Sequence, residues 1–124
     1  MDRKTISVVI PTFNEQENIP RIYERVVKIF NEQLPEYDLK LQFIDNYSTD
    51  NTRAIILDLA QKDQRVQAIF NARNFGFTRS TYYGLSQAEG DCAVLLFADM
   101  QDPPEIIPKF VEEWEKGNKI VVGI

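Results

Sequence analysis

ISVVIPTFNEQENIPRIYERVVKIF, residues 6–30, decides the fold, because its apolar pattern changes period in the middle. Ile6-Ser7-Val8-Val9-Ile10 is a β-branched run suited to a buried strand, and Pro11 stops it. From Gln16 to about Leu34 the apolar residues Ile19, Ile22, Val26, Ile29 and Phe30 recur three and four apart, which predicts an amphipathic helix. A buried strand that feeds directly into a helix is the opening unit of a parallel sheet.

The rest of the chain repeats the alternation. Leu39 to Ile44 reads as a strand ending at Asp45, and Ser48-Thr49-Asp50-Asn51 supplies cap chemistry for a helix carrying Ile55, Ile56 and Leu59. Val66 to Phe70 is a third strand, and Phe75 to about Glu89 a further helix that Gly90-Asp91 stops. Cys92 to Ala98 is a fourth strand. Pro103-Pro104 opens a helix, because first-turn N–H groups have no intrahelical partner to lose, and Ile106, Ile107, Phe110, Val111 and Trp114 give its buried stripe. Gly117-Asn118 ends that helix, and Lys119 to Val122 starts a fifth strand.

The expected fold class is therefore α/β: an open, mostly parallel sheet with helices on both faces. Right-handed crossovers place every strand-to-helix loop along one edge. Ligands in such sheets bind outside the carboxyl ends of the strands, where the winding direction reverses. With strand order 3-2-1-4 the reversal lies between the first and fourth strands. Thr12, Asn14 and Glu15 then face Asp99 and Gln101 across one crevice, so the acidic tip of LLFADMQDPPE (95–105) stands where a ligand should be.

Composition narrows the chemistry. The 124 residues suit one domain, and the formal net charge of −5 argues against a nucleic-acid partner. One cysteine, Cys92, leaves no intrachain disulfide, and its apolar setting makes it a small buried hydrophobe. There is no histidine, which removes Ser-His-Asp and Cys-His catalysis and the commonest zinc ligand together. Carboxylates, amides, hydroxyls and an oxygen-liking metal remain. No stretch approaches the roughly 18–20 apolar residues of a membrane span, and no signal-peptide pattern opens the chain, so a cytoplasmic location is expected. The loop after the first strand reads Pro11-Thr12-Phe13-Asn14-Glu15, without the glycines of a dinucleotide fingerprint, and no phosphate-binding G-x-x-x-x-G-K loop occurs.

SVVIPTFNEQENI (7–19), FIDNYSTDNT (43–52), ARNFGFTRSTYYGL (72–85), GDCAVLLFADMQDPPEIIP (90–108) and VVGI (121–124) together resemble glycosyltransferase family 2, of the GT-A fold. The spacing and Ala-Asp-Met-Gln-Asp-Pro-Pro-Glu resemble its polyprenyl- and dolichyl-phosphate sugar transferase branch. The resemblance implies that Pro11, Thr12, Phe13 and Glu15 pack on a nucleotide and that Asp45 accepts hydrogen bonds from base or ribose. It implies that Asp99 and Gln101 hold Mg²⁺ or Mn²⁺ across the donor's phosphates, with Asp99 also counted in the nucleotide site. The implied activity is inverting sugar transfer from a nucleotide-diphosphate sugar to a polyprenyl phosphate or another cell-envelope glycan acceptor. Residues 1–124 would be the donor-binding, amino-terminal part, inactive alone, with membrane association through a region beyond them at the cytoplasmic face. The family usually has Asp-Ala-Asp where this chain has Phe97-Ala98-Asp99, which implies weak metal binding until donor phosphates complete the shell. It commonly has Asp-Asp-Gly-Ser where this chain has Asp45-Asn46-Tyr47-Ser48.

Structural readings stand beside these. Asp102 suits helix capping, and Asp50 a turn or a cap. Asp45 can simply end a strand, Glu15 can be a first-turn acid favoured by the helix dipole, and Arg73 can hold a phosphate or a neighbouring carboxylate. Tyr82 and Tyr83 read as packing. The rival function is a non-catalytic nucleotide-binding or assembly module whose metal site is degraded at Phe97.

Overall fold

The computed structural model of the protein describes residues 4–74, 76, 90–99 and 103–116. Its strands are β1 (Thr5–Thr12), β2 (Asp38–Asp45), β3 (Val66–Phe70) and β4 (Cys92–Leu95). Its helices are α1 (Asn18–Glu32), α2 (Thr52–Lys62) and α3 (Ile107–Glu115), the last entered through a 3₁₀ turn at Pro104–Ile106. The helix expected at Phe75–Glu89 and the strand expected at Lys119–Val122 lie outside the described residues, as do Gln101, Asp102, Tyr82 and Tyr83.

The sheet has the expected order, β3-β2-β1-β4, and every pairing is parallel. Register explains where the site forms. Thr12 pairs with Asp45 and Asp45 with Phe70, so three strands end level along one edge. Every β1 residue from Ile6 to Thr12 is buried, whichever way its side chain alternates. Both faces of the central strand are therefore covered, which is why it reads as a continuous apolar run.

The periodicity of α1 translates directly into packing, for Ile19, Ile22, Val26, Ile29 and Phe30 are its buried residues. They share one core with Val8 and Ile10 of β1, Leu41 and Phe43 of β2, and Ile107, Phe110 and Val111 of α3. At about 1.5–3 kcal/mol for each large aliphatic or aromatic side chain buried, this cluster is the main source of stability.

β4 ends at Leu95 rather than at Ala98. The Leu96 N–H still donates to the Val9 carbonyl at 2.9 Å, and Ala98 and Asp99 then form a turn. At the other end of β4, Gly90 takes φ +139°, and a Cβ there would stand 3.0 Å from both the Ser7 hydroxyl and the Thr5 carbonyl. Its expected role as a helix stop is joined by one that only the packing reveals, close approach to β1. Among the described residues, no helix is long and apolar enough to cross a membrane.

Candidate functional site

The loops leaving β1 and β2 are stitched into one surface by side chains bonded to backbone. Asn14 sits in the left-handed region at φ 53°; its N–H donates to the Ser48 hydroxyl, and its side-chain oxygen accepts from the Thr49 N–H, both at 2.8 Å. The Glu15 N–H donates to the Thr52 hydroxyl at 2.8 Å. Asp50 in turn accepts from the Thr52 amide at 2.9 Å and from its hydroxyl, a turn of the Asx type that leads into α2. Burial alone would raise the Asp50 carboxyl, but these bonds from Thr52 outweigh it and hold the group below its ordinary range.

Asp45 is the centre of this arrangement. Its side chain is 0% exposed. It accepts from the Thr12 hydroxyl at 2.9 Å, from the Ser48 N–H at 2.9 Å and from the Ser48 hydroxyl. Arg53 Nε stands 3.8 Å away, its guanidinium over the Phe70 ring at 4.7 Å and the Tyr47 ring at 6.0 Å. A carboxylate so enclosed is satisfied by protein donors, as a buried charge must be.

A cavity of about 380 Å³ opens beside it, where the carboxyl ends of β1 and β4 diverge. Pro11, Thr12, Phe13, Glu15 and Asp99, all singled out in the sequence, line this one space. So do Phe97, where the family commonly has an acid, and Asn46, Asn74, Gly76 and Ala98, to which the sequence reading gave no site role. Asp45 is not among the lining residues; the alternation along β2 turns its carboxylate into the loop and leaves the next residue, Asn46, at the cavity wall. Asp45 meets the cavity wall through the bond it accepts from Thr12.

Glu15 does two things: its Oε2 accepts from the Asn18 side chain at 2.8 Å at the start of α1, and it lines the cavity. Asp99 is exposed, whereas Phe97 is half-buried against the same space. Arg73 is exposed in the loop after β3. Cys92 is half-buried, and burial pushes its thiol up, as for an inert packing cysteine.

The cavity's chemistry follows from its walls. Pro11, Phe13, Phe97 and Ala98 give it apolar surface, Asn46 and Asn74 give it amides, and Glu15 and Asp99 give it carboxylates. No lysine or arginine is among the described residues that line it. An anionic ligand placed here would meet negative charge unless a cation came with it. Among the described residues no cluster of three acidic, histidine or cysteine side chains could hold a metal unaided. Mg²⁺ and Mn²⁺ need only one or two carboxylates when substrate phosphates supply the remaining oxygens, so Asp99 fits such an ion in company with a ligand.

A family model described as "Glycosyl transferase family 2" matches residues 7–124. The chain belongs to glycosyltransferase family 2. It is similar to a prophage bactoprenol glucosyl transferase homolog of Escherichia coli K12, with 39% identity covering 95% of this chain and 38% of that protein. It is also similar to an undecaprenyl-phosphate 4-deoxy-4-formamido-L-arabinose transferase of Proteus mirabilis, with 39% identity over 94% of this chain and 35% of that one. This family 2 chain thus spans little more than a third of the length of the curated relatives it matches. Among solved structures, its fold resembles glucosyl-3-phosphoglycerate synthase from Mycobacterium tuberculosis in complex with Mn²⁺, UDP and phosphoglyceric acid. The TM-score is 0.71 at 22% identity, over 94% of this chain and 41% of that one. It also resembles a mannosyltransferase from Pyrobaculum calidifontis in complex with GDP-Man and Mn²⁺, with TM-score 0.67 at 23% identity, over 90% and 32% of the two chains. The fold is GT-A, and the strand order β3-β2-β1-β4 agrees with it.

Proposed function

We propose that these residues form the donor-binding part of a glycosyltransferase that moves a sugar from a nucleotide-diphosphate sugar to a polyprenyl phosphate. The observation that carries the reading is the cavity at the sheet's reversal point, walled by amides, apolar rings and the carboxylates of Glu15 and Asp99 without a lining cation among the described residues. The names of the relatives supply the acceptor class, and the GDP-Man, UDP and Mn²⁺ of the structural neighbours are in keeping with the donor and the ion.

The nucleoside packs on Phe13 and Pro11 beside the Asn46 amide, and the diphosphate extends toward Asp99. When bound, Mg²⁺ or Mn²⁺ at Asp99, with Gln101 as the expected second ligand, supplies Lewis-acid stabilisation of the departing diphosphate. An oxygen of the acceptor phosphate forms the new bond to the anomeric carbon from the face opposite the diphosphate. The bond to the diphosphate breaks, its electron pair leaves with the nucleoside diphosphate, and the configuration inverts. A phosphate acceptor is already anionic and needs little general-base help, consistent with a chain that has no histidine. A lipid-linked acceptor places this step at the cytoplasmic face of a membrane.

Calorimetric titration of UDP, GDP and dTDP, with and without Mn²⁺, tests the reading. One of them should bind more tightly with the ion, and Asp99→Asn should abolish that dependence. Nucleotide binding that ignores Mn²⁺ and survives Asp99→Asn would favour the non-catalytic nucleotide-binding module. No binding by any of the three would remove the donor site altogether.

A further inference from the structure

Three asparagines from two strand ends form a chain of amides, Asn46 and Asn74 in the cavity wall and Asn71 behind it. Asn71 Nδ2 donates to Asn46 Oδ1 at 3.2 Å, and Asn46 Nδ2 donates to Asn74 Oδ1 at 2.8 Å. Asn74 Oδ1 also accepts from the backbone N–H of Gly76 at 2.8 Å. Asn46 and Asn71 are each 7% exposed, whereas Asn74 is exposed at the rim.

An asparagine amide has an oxygen end and an NH₂ end of nearly the same shape, so its orientation must be set by its partners. Here one group sets it for all three. The Gly76 N–H can only donate, so the Asn74 atom facing it must be the oxygen. That oxygen faces Asn46, so the Asn46 atom opposite must be nitrogen, and the other end of Asn46 must be oxygen. Asn71 must then turn its NH₂ toward that oxygen. Gly76 holds φ +86°, in the region that favours glycine, and a Cβ there would meet nothing within 4 Å. What the position demands is therefore the backbone direction that aims the N–H, not empty space.

We propose that Asn71 and Asn74 are positioning residues that fix the polarity of the Asn46 carboxamide in the cavity wall, and through it the choice of nucleoside. The inference rests on the nucleotide reading of the cavity. Bases differ in where they carry donors and acceptors, so an amide locked in one orientation accepts one pattern and opposes its reverse. A wall amide free to flip would accept either. Two of the three amides reside in the loop after β3, so the selecting residue on β2's exit is set from a neighbouring strand.

The test compares UDP, GDP and CDP affinities, cytosine carrying the reverse of the donor–acceptor order of uracil and guanine, in the wild-type protein and in Asn74→Leu, Asn71→Leu and Asn74→Asp, with inorganic pyrophosphate as a ligand lacking a base. Asn74→Leu and Asn71→Leu should reduce the ratio between best and worst nucleotide by about fivefold to tenfold, the worth of about one hydrogen bond, and Asn71→Leu, which lies outside the cavity wall, should leave pyrophosphate affinity unchanged. Asn74→Asp keeps an oxygen toward both Gly76 and Asn46, so it should keep the ratio even if its charge weakens every nucleotide equally. Asn74 is exposed, so its leucine variant reports even where Asn71→Leu fails to fold. Wild-type discrimination that persists in Asn74→Leu overturns the positioning role and leaves the donor-site reading standing. A wild type that binds all three nucleotides equally overturns it as well, and a wild type that binds none overturns both.

Discussion

The Thr12 hydroxyl donates to the Asp45 carboxylate at 2.9 Å, at the point where the two residues are paired in the β1–β2 register. One bond thereby joins the carboxyl ends of both strands, and the loops that leave them are arranged around it. Asp45→Ala should lower stability by about 2–3 kcal/mol in urea denaturation, because the Ser48 N–H and the Thr12 hydroxyl lose a charged acceptor in a buried place. Nucleotide affinity should fall with it as the two loops loosen. An Asp45→Ala protein as stable as wild type, impaired only in nucleotide affinity, would instead give Asp45 a direct contact with the ligand.

Asp63 should govern part of the acid sensitivity. Its carboxylate accepts from Arg65 Nε at 2.9 Å and Nη2 at 2.8 Å, and from the Tyr23 hydroxyl at 2.6 Å. The Arg65 hydrogen bonds, aided by Tyr23 and opposed by burial, hold the Asp63 carboxyl well below the usual carboxylate range. A folded pKa below the unfolded one contributes stability above the unfolded value, near ~3.9, and that stability is lost as pH falls through the folded value. Wild type should therefore lose stability on acidification below about pH 5 more steeply than Asp63→Asn. The variant should be less stable by about 1–2 kcal/mol at pH 7, and the two curves should converge at low pH. Parallel curves from pH 7 to pH 2 would refute the role.

Tyr47 occupies φ 69°, a left-handed conformation that costs a side chain with a Cβ, in a turn where the family commonly has glycine. It also lies over Arg53. Tyr47→Gly should stay within about 0.5 kcal/mol of wild type, relief of strain offsetting the lost ring contact and the entropy of glycine. Tyr47→Ile, β-branched and least tolerant of this region, should cost about 1–2 kcal/mol. Thermal melts that rank isoleucine equal to glycine would show that the turn relaxes.

Phe97 and Asp99 make a paired test of the metal. With Asp99 as the principal ligand, Mn²⁺ affinity without nucleotide should be negligible, and ion and nucleotide should tighten each other by the same factor. Phe97→Asp should raise Mn²⁺ affinity both with and without nucleoside diphosphate, since it adds a carboxylate two residues from Asp99 in the cavity wall. Unchanged titrations in a folded Phe97→Asp protein would place the ion elsewhere.

Much of this protein was legible along the chain. The β-branched run at Ile6–Ile10 and the three- and four-residue spacing of Ile19, Ile22, Val26, Ile29 and Phe30 define a strand and a helix by local geometry alone. Repeated alternation then admits few sheets, and chirality selects the edge where Thr12, Glu15 and Asp99 gather. The gathering of Pro11, Thr12, Phe13, Glu15 and Asp99 around one cavity followed from topology, which is a property of element order.

What the sequence by itself determined was thus which residues reach the carboxyl edge. Only the tertiary structure decided which way each one points there. Asp45, the last residue of β2, and Asn46, the next, are both polar, yet Asp45 is buried under Thr12 and Ser48 while Asn46 lines the cavity. The early end of β4, the close approach of Gly90 to Thr5 and Ser7, and the bonding of Asn46 to Asn71 and Asn74 likewise escaped the linear reading. The physical reason is shared. Periodicity reports the average face of an element, whereas the direction of a loop side chain depends on hydrogen-bond partners 25 or more residues away, such as Asn71 for Asn46, which no local pattern encodes.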